Sequence, residues 1–131
     1  MSTDESRLAQ LLAELCFYLI KQGDHERARV MLQGLKELRP QHPTPHILEG
    51  LFHFGRLDYP AAERSYRSGL EQEPANDLAK AFLAESLIPQ RRYREAEKLL
   101  EEVIGRGADA SAVALAQGLN EGLRQGLFQR A

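Results

Sequence analysis

Apolar residues recur along this chain at steps of three and four, and polar stretches divide them into seven blocks. That spacing belongs to helices with one buried stripe. It predicts helices over 5–22 and 24–38, then 44–55 and 58–73, then 77–88 and 91–104, with a seventh in the segment 111–131, to about 128. No stretch sustains the alternation of a strand, so no sheet is expected. The punctuation agrees. Thr44 followed by Pro45 reads as an N-cap with proline at the first helical position. Asp24 and Asp58 suit N-caps, where a carboxylate also complements the helix dipole. Pro40, Pro43 and Pro74 fall where the backbone must leave a helix. Gly105-Arg106-Gly107 ends the sixth helix, and Asp109 or Ser111 caps the seventh.

The blocks repeat. GDHERARVML, LDYPAAERSY and RRYREAEKLL begin at Gly23, Leu57 and Arg91, at a step of 34. The alanines Ala28, Ala62 and Ala96 keep that step. So do the rings His25, Tyr59 and Tyr93, the bulky Leu32, Tyr66 and Leu100, and the small Cys16, Gly50 and Ala84. Three ungapped units follow: 9–42, 43–76 and 77–110. A period of 34 with this pattern resembles the tetratricopeptide repeat. Three departures stand out. Leu12, His46 and Lys80 replace the usual early aromatic, Glu49 stands where an apolar residue is usual, and Leu57 replaces a turn glycine.

The resemblance implies an all-α fold over residues 1–131. Three tandem helix-turn-helix units would form a right-handed superhelical array with a C-terminal capping helix. Cys16, Gly50 and Ala84 on the first helices, and Ala28, Ala62 and Ala96 on the second, are the small residues that let paired helices approach. Cys16 is therefore expected as a buried packing residue; no base or ligand spacing marks it as reactive. First helices of this family line a concave face. Here that face carries Ala13, Phe17 and Ile20, then Ile47, Leu51 and Phe54, then Leu78, Ala81, Glu85 and Ile88, with Gln10, Lys21, Thr44, Gly55 and Pro89 beside them. Only Lys21 and Glu85 are charged. A face this apolar is expected to bind a partner, unless the last helix folds back to cover it. Tetratricopeptide domains that hold acidic chaperone tails use Lys, Asn and Arg in the groove. The matching places here are Ala13, Phe17, Leu48, Leu78 and Phe82, so that ligand is excluded and an amphipathic helix or apolar segment is expected instead.

The first helix carries Leu8, Leu11, Leu12, Leu15, Phe17, Tyr18, Leu19 and Ile20 around nearly its whole circumference. A terminal helix of that kind needs cover, which predicts a homodimer through it or a partner over it. In the last segment Leu115, Leu119, Leu123 and Leu127 form one stripe and Gly118, Gly122 and Gly126 another. The glycines suggest a close backbone approach by a capping helix or by a segment that closes over a ligand.

Charge changes the picture by exclusion. Seventeen Lys and Arg balance nineteen Asp and Glu, for a formal net charge of −2, so no nucleic-acid partner is expected. The basic run Arg91-Arg92-Tyr93-Arg94 leads at once into Glu95 and Glu97 and reads as a solvated helix start. The apolar stretch from Leu8 to Ile20 is shorter than the ~20 residues that span a bilayer, so no membrane insertion is expected. The acidic start, with Asp4 and Glu5, is unlike a secretory signal, and a cytoplasmic site is expected. One cysteine allows no internal disulfide. Neither the four histidines nor any other residues make a metal site, cofactor motif or catalytic constellation. The chain is read as a non-enzyme without cofactor.

The stretch IKQGDHERARVMLQGLKELRP, from Ile20 to Pro40, is similar to the first unit of small type III secretion chaperones, the YscG/PscG group and its Hrp-type counterparts, and also the YscY group. VIGRGADASAVALAQGL, from Val103 to Leu119, resembles the end of the Hrp-type proteins. This resemblance implies a chaperone that shields a secretion subunit before export by holding its amphipathic helix in the groove. The competing reading is a general tetratricopeptide scaffold joining other proteins.

Overall fold

The computed structural model describes residues 3–128. Among them there are seven α-helices and no strand: α1 (Thr3–Gln22), α2 (His25–Leu38), α3 (Pro43–Gly55), α4 (Tyr59–Gln72), α5 (Asp77–Leu87), α6 (Tyr93–Arg106) and α7 (Ala110–Arg124). The helices pack as hairpins, α1 on α2, α3 on α4 and α5 on α6. α3 also meets α1 and α2, α4 packs on α5, and α7 covers α5 and α6. The result is the tetratricopeptide-like stack that the 34-residue period predicts.

One backbone device makes all three hairpins. Gly23 (φ 76°), Leu57 (φ 64°) and Arg91 (φ 62°) each adopt the left-handed conformation. The same pair of hydrogen bonds closes each turn. Gly23 N–H donates to Ile20 O at 3.1 Å and Asp24 N–H to Leu19 O at 3.0 Å; Leu57 donates to Phe54 O and Asp58 to His53 O, both at 2.9 Å; Arg91 donates to Ile88 O at 2.9 Å and Arg92 to Leu87 O at 3.1 Å. Leu57 thus keeps glycine's geometry, with about 1–2 kcal/mol of Cβ strain. The same turn delays α6, which starts at Tyr93 and not at 91 because Arg91 is left-handed.

Asp24, Asp58 and Asp109 cap α2, α4 and α7 through backbone N–H groups of Arg27, Ala61 and Ala112. Asn76 does the same for α5. The start of α3 differs from the sequence reading. His42, not Thr44, is the N-cap: its Nδ1 accepts from Thr44 N at 3.2 Å. Pro43 takes the first turn, where its missing N–H removes no helical bond. Burial, then the charge of Arg39, holds the His42 imidazole below its ordinary pKa, which keeps Nδ1 available as an acceptor.

The six small packing residues are all buried. In the first and third hairpins the small residue of the first helix shares a buried cluster with the bulky residue sixteen positions on, Cys16 with Leu32 and Ala84 with Leu100; in the second, Gly50 meets Tyr66. In the second unit the bulky residue grows to Tyr66, and the small one shrinks to glycine. A Cβ on Gly50 would lie 2.2 Å from Tyr66 Cε1. Cys16 Sγ lies 3.7 Å from Ala28 O, and burial pushes the thiol up to about 11; it stays protonated, a packing group. Glu49, the polar residue in an apolar place, is matched by Lys36 of α2, with which it forms an ion pair, and by Ser65 Oγ at 3.1 Å. Arg92 likewise is not a free solvated charge. It pairs with Glu63 and Glu95, each at 2.7 Å, and Arg67 joins the same two carboxylates.

The core is uneven. A large cluster around Tyr66, Leu83, Leu87, Leu100 and Val103 runs from α4 through α7. Two smaller ones tie the first unit to α3, one around Cys16, Leu32, Leu35 and Leu48 and one around Leu19, Ala28 and Phe52.

α7 is shorter than expected, ending at Arg124. Gly126 (φ 70°) starts a helix-terminating turn in which Leu127 N–H donates to Gly122 O at 3.0 Å and Gly126 N–H to Leu123 O at 3.1 Å, a Schellman cap. The chain then folds back. Phe128 lies over Gly122, where a Cβ would fall 2.5 Å from the ring, and Tyr93 Oη donates to Phe128 O at 3.1 Å. The three glycines therefore form no common docking stripe. Gly122 admits a ring, Gly126 makes the turn, and Gly118 faces open space. Residues 129–131 of the last segment lie outside the described residues.

Candidate binding groove

α1, α3 and α5 line one continuous groove in three adjoining sections. The first, of about 510 Å3, lies between Ala13 and Phe17 of α1, Ile47 and Leu51 of α3, and Leu78 and Phe82 of α5. The middle section, of about 660 Å3, is bounded by Phe17, Ile20, Lys21, Leu51, Phe54, Phe82, Glu85 and Leu115. The third, of about 360 Å3, includes Phe54, Glu85, Ile88, Tyr93, Leu119 and Phe128. Phe17, Leu51 and Phe82 join the first two sections, and Phe54 with Glu85 joins the last two.

Of the groove residues anticipated from the sequence, all but Ala81 and the flanking Gln10 line it; Gln10 borders a separate hollow beside Leu35 and Arg39. Ala81 is fully buried. α5 is packed by α4, α6 and α7, so the position that points into the groove as Ala13 and Ile47 is enclosed in the third unit. Ile88, though it borders the third section, is 6% exposed and contributes little surface. Phe82 takes the place left by Ala81. The comparison with acidic-tail binders had already put Phe82 in the groove, and a step of four from Leu78 reaches it. Leu115, Leu119 and Phe128 are lining residues that the sequence reading did not name as such. α7 flanks the groove through Leu115 and Leu119, the turn after it adds Phe128, and Phe17, 42% exposed, stays open within it.

The polar side chains of the groove are Glu14, Thr44 and Asn76 in the first section, Lys21, Gln22, His25 and Glu85 in the middle, and Glu85 and Arg91 in the third. Lys21 Nζ lies 5.4 Å from the centre of the Phe17 ring. Glu85 is half-buried; burial raises its carboxyl above the ordinary value, against the opposing pull of Lys21. Tyr66 lies behind, its hydroxyl buried and without a hydrogen-bond partner, pushed up by burial and by the charge of Glu85.

A separate hollow of about 480 Å3 between α2, α3 and the second turn is polar, and its Lys36 and Glu49 already pair. The histidines are dispersed. His25 and His53 stand edge-on to Phe52, and His42 caps α3. Among the described residues no group of three or more His, Cys, Asp and Glu could hold a metal ion, and no helix is long and apolar enough to cross a membrane.

The α1 surface opposite the groove, by helical spacing, is apolar and open. Leu8, Leu11, Leu15 and Tyr18 are 49%, 62%, 44% and 58% exposed. The cover that this helix calls for is not supplied by the chain's own described residues.

The family model described as bacterial type III secretion protein (HrpB1_HrpK) matches residues 1–122. The chain belongs to this family. No curated protein matches the sequence. Among solved structures, the HrpB1_HrpK chain is similar to the type III secretion translocator chaperone SycD of Yersinia enterocolitica, crystallised as an alternative dimer. That match has a TM-score of 0.77 at 21% identity and covers 99% of this chain and 98% of that one. At this identity the likeness carries the fold.

Proposed function

We propose that this HrpB1_HrpK protein is a type III secretion chaperone that holds an amphipathic helix of a secretion subunit in the groove of α1, α3 and α5. The observation that carries the reading is an apolar channel left open in a folded chain, walled by Phe17, Leu51, Phe54 and Phe82. Burying such walls under a partner helix yields roughly 25 cal/mol for each Å2 of apolar surface removed from water, and a few anchors dominate. The ligand shields its own assembly face while it occupies the groove, and no chemistry is required of the chaperone. Membership of a secretion family and the fold shared with SycD support this reading. The open face of Leu8, Leu11, Leu15 and Tyr18 supports self-association through α1, and light scattering of the purified protein tests it: a monodisperse monomer at high concentration refutes it.

Co-expression with short amphipathic subunits of the same secretion system, followed by co-purification, tests the chaperone reading. Phe17→Asp is the cleanest groove variant, because Leu51 and Phe54 also pack against the buried clusters. Retention of a co-purified subunit by Phe17→Asp and by Phe54→Asp refutes helix-in-groove binding.

A further inference from the structure

Glu85 interrupts the apolar groove at its centre. It borders both the middle and the third sections, with Phe54 on α3 lining the same two. Around it the middle section is walled mainly by Phe17, Ile20, Leu51, Phe54, Phe82 and Leu115, with Lys21, Gln22 and His25 as its other polar side chains. Among the described residues Glu85 makes no hydrogen bond and no ion pair within 4 Å. The groups around it are Lys21 of α1, drawn over the Phe17 ring; Gln22 and His25, which line the middle section with it, His25 through a ring whose buried Nδ1 bonds nothing; Tyr66 of α4, whose buried hydroxyl bonds nothing; and Arg91 and Tyr93, which border the third section.

In the open groove, water completes the hydration of this carboxylate. A purely apolar helix laid over it removes that water and supplies nothing in return. Burying an ionised carboxylate without a partner opposes binding more strongly than one apolar anchor favours it. A cation carried by the incoming helix reverses the sign, because the pair becomes a charge-assisted hydrogen bond in a low-dielectric setting. We infer that the groove selects helices bearing a lysine or arginine within their apolar face, placed to meet Glu85 between the Phe54 and Phe82 walls. This rests on the groove reading above and adds the feature that discriminates among amphipathic helices. It also gives Glu85 a reason to be in a channel where leucine would bind an apolar surface better.

The test uses the full chain and synthetic amphipathic peptides of about 18 residues, the length of a groove-spanning helix. Lysine is moved through each apolar position in turn, and each lysine peptide is matched by one with norleucine, which has the same stem and no charge. Affinities are read by fluorescence anisotropy for the unchanged protein, Glu85→Gln and Phe17→Asp. The expected result is that in at least one register lysine binds at least about tenfold tighter than norleucine to the unchanged protein, that Glu85→Gln removes this preference, and that Phe17→Asp weakens every peptide. Equal or tighter binding of norleucine in all registers, with Phe17→Asp still damaging, overturns the role of Glu85 and leaves the groove reading standing; this includes the case in which Lys21 swings across to neutralise Glu85. Absence of binding by every peptide, or indifference to Phe17→Asp, overturns the groove reading and the inference with it.

Discussion

Gly50→Ala tests the pairing of small and bulky residues that holds each hairpin. Alanine is the better helix former by about 1 kcal/mol, so a local view predicts stabilisation. The packing predicts the opposite. The new Cβ would stand 2.2, 2.4 and 2.7 Å from three carbons of the Tyr66 ring. Carbon pairs need about 3.5 Å, so ring and helix must part by roughly 1.3 Å. The ring has nowhere to retreat, since Tyr66 is fully buried and Phe82 stacks on it at 5.7 Å. Overpacking of this kind costs about 1–3 kcal/mol, here at the upper end, for a net loss of about 2 kcal/mol. Urea unfolding followed by circular dichroism reads the change. The decisive arm is Gly50→Ala with Tyr66→Leu, which recreates the alanine–leucine pair that Ala84 and Leu100 make in the third unit and deletes a hydroxyl without a partner. The double variant should be at least about 1 kcal/mol more stable than the sum of the single effects. Additive behaviour, or a Gly50→Ala protein as stable as the parent, refutes the pairing.

Three further outcomes follow from backbone and charge. Leu57→Gly relieves a left-handed Cβ at an exposed turn and should raise stability by about 0.5–1 kcal/mol after the added freedom of the unfolded chain is discounted; a loss of stability in the same urea assay contradicts the turn geometry. The His42 cap needs a neutral imidazole, and its folded pKa is depressed. The folded state therefore binds fewer protons than the unfolded one. The cap's contribution is present above the ordinary histidine pKa and is lost as pH falls from there through the depressed value; His42→Asn should flatten that segment of the stability profile, and an unchanged slope counts against the cap. Asp77, almost fully buried, is held by Arg106 at 3.0 Å. Arg106→Ala should cost about 2–3 kcal/mol, moderated by Lys80 at 3.9 Å, and a change in melting temperature within error excludes that role.

The stack was legible in the sequence because Ala28, Ala62 and Ala96 and the turn positions recur at one spacing, and recurrence reports a shared backbone even where the residue changes. Leu57 shows this: its side chain argued against the turn, and its register argued correctly for it. The groove was legible wherever first helices have equivalent surroundings. It failed at Ala81, because α7 encloses the third unit as nothing encloses the first two, and a repeat has no way to encode its own neighbour. The end of α7 was misread for a different reason. The leucine stripe runs on through Leu127, but a left-handed Gly126 ends the helix whatever the hydrophobic period says.

The uneven core also orders how the array comes apart. A stack of hairpins unfolds unit by unit, each as stable as its own contacts and those with its neighbour. The cluster from α4 to α7 is the lasting part, and α1, anchored by the two smaller clusters and bare on its outer side, is the first to exchange its amide hydrogens. That helix is also one wall of the groove. An occupant is therefore expected to register first as slowed exchange in α1, while the helices around Leu83 and Leu100 hold their protection unchanged.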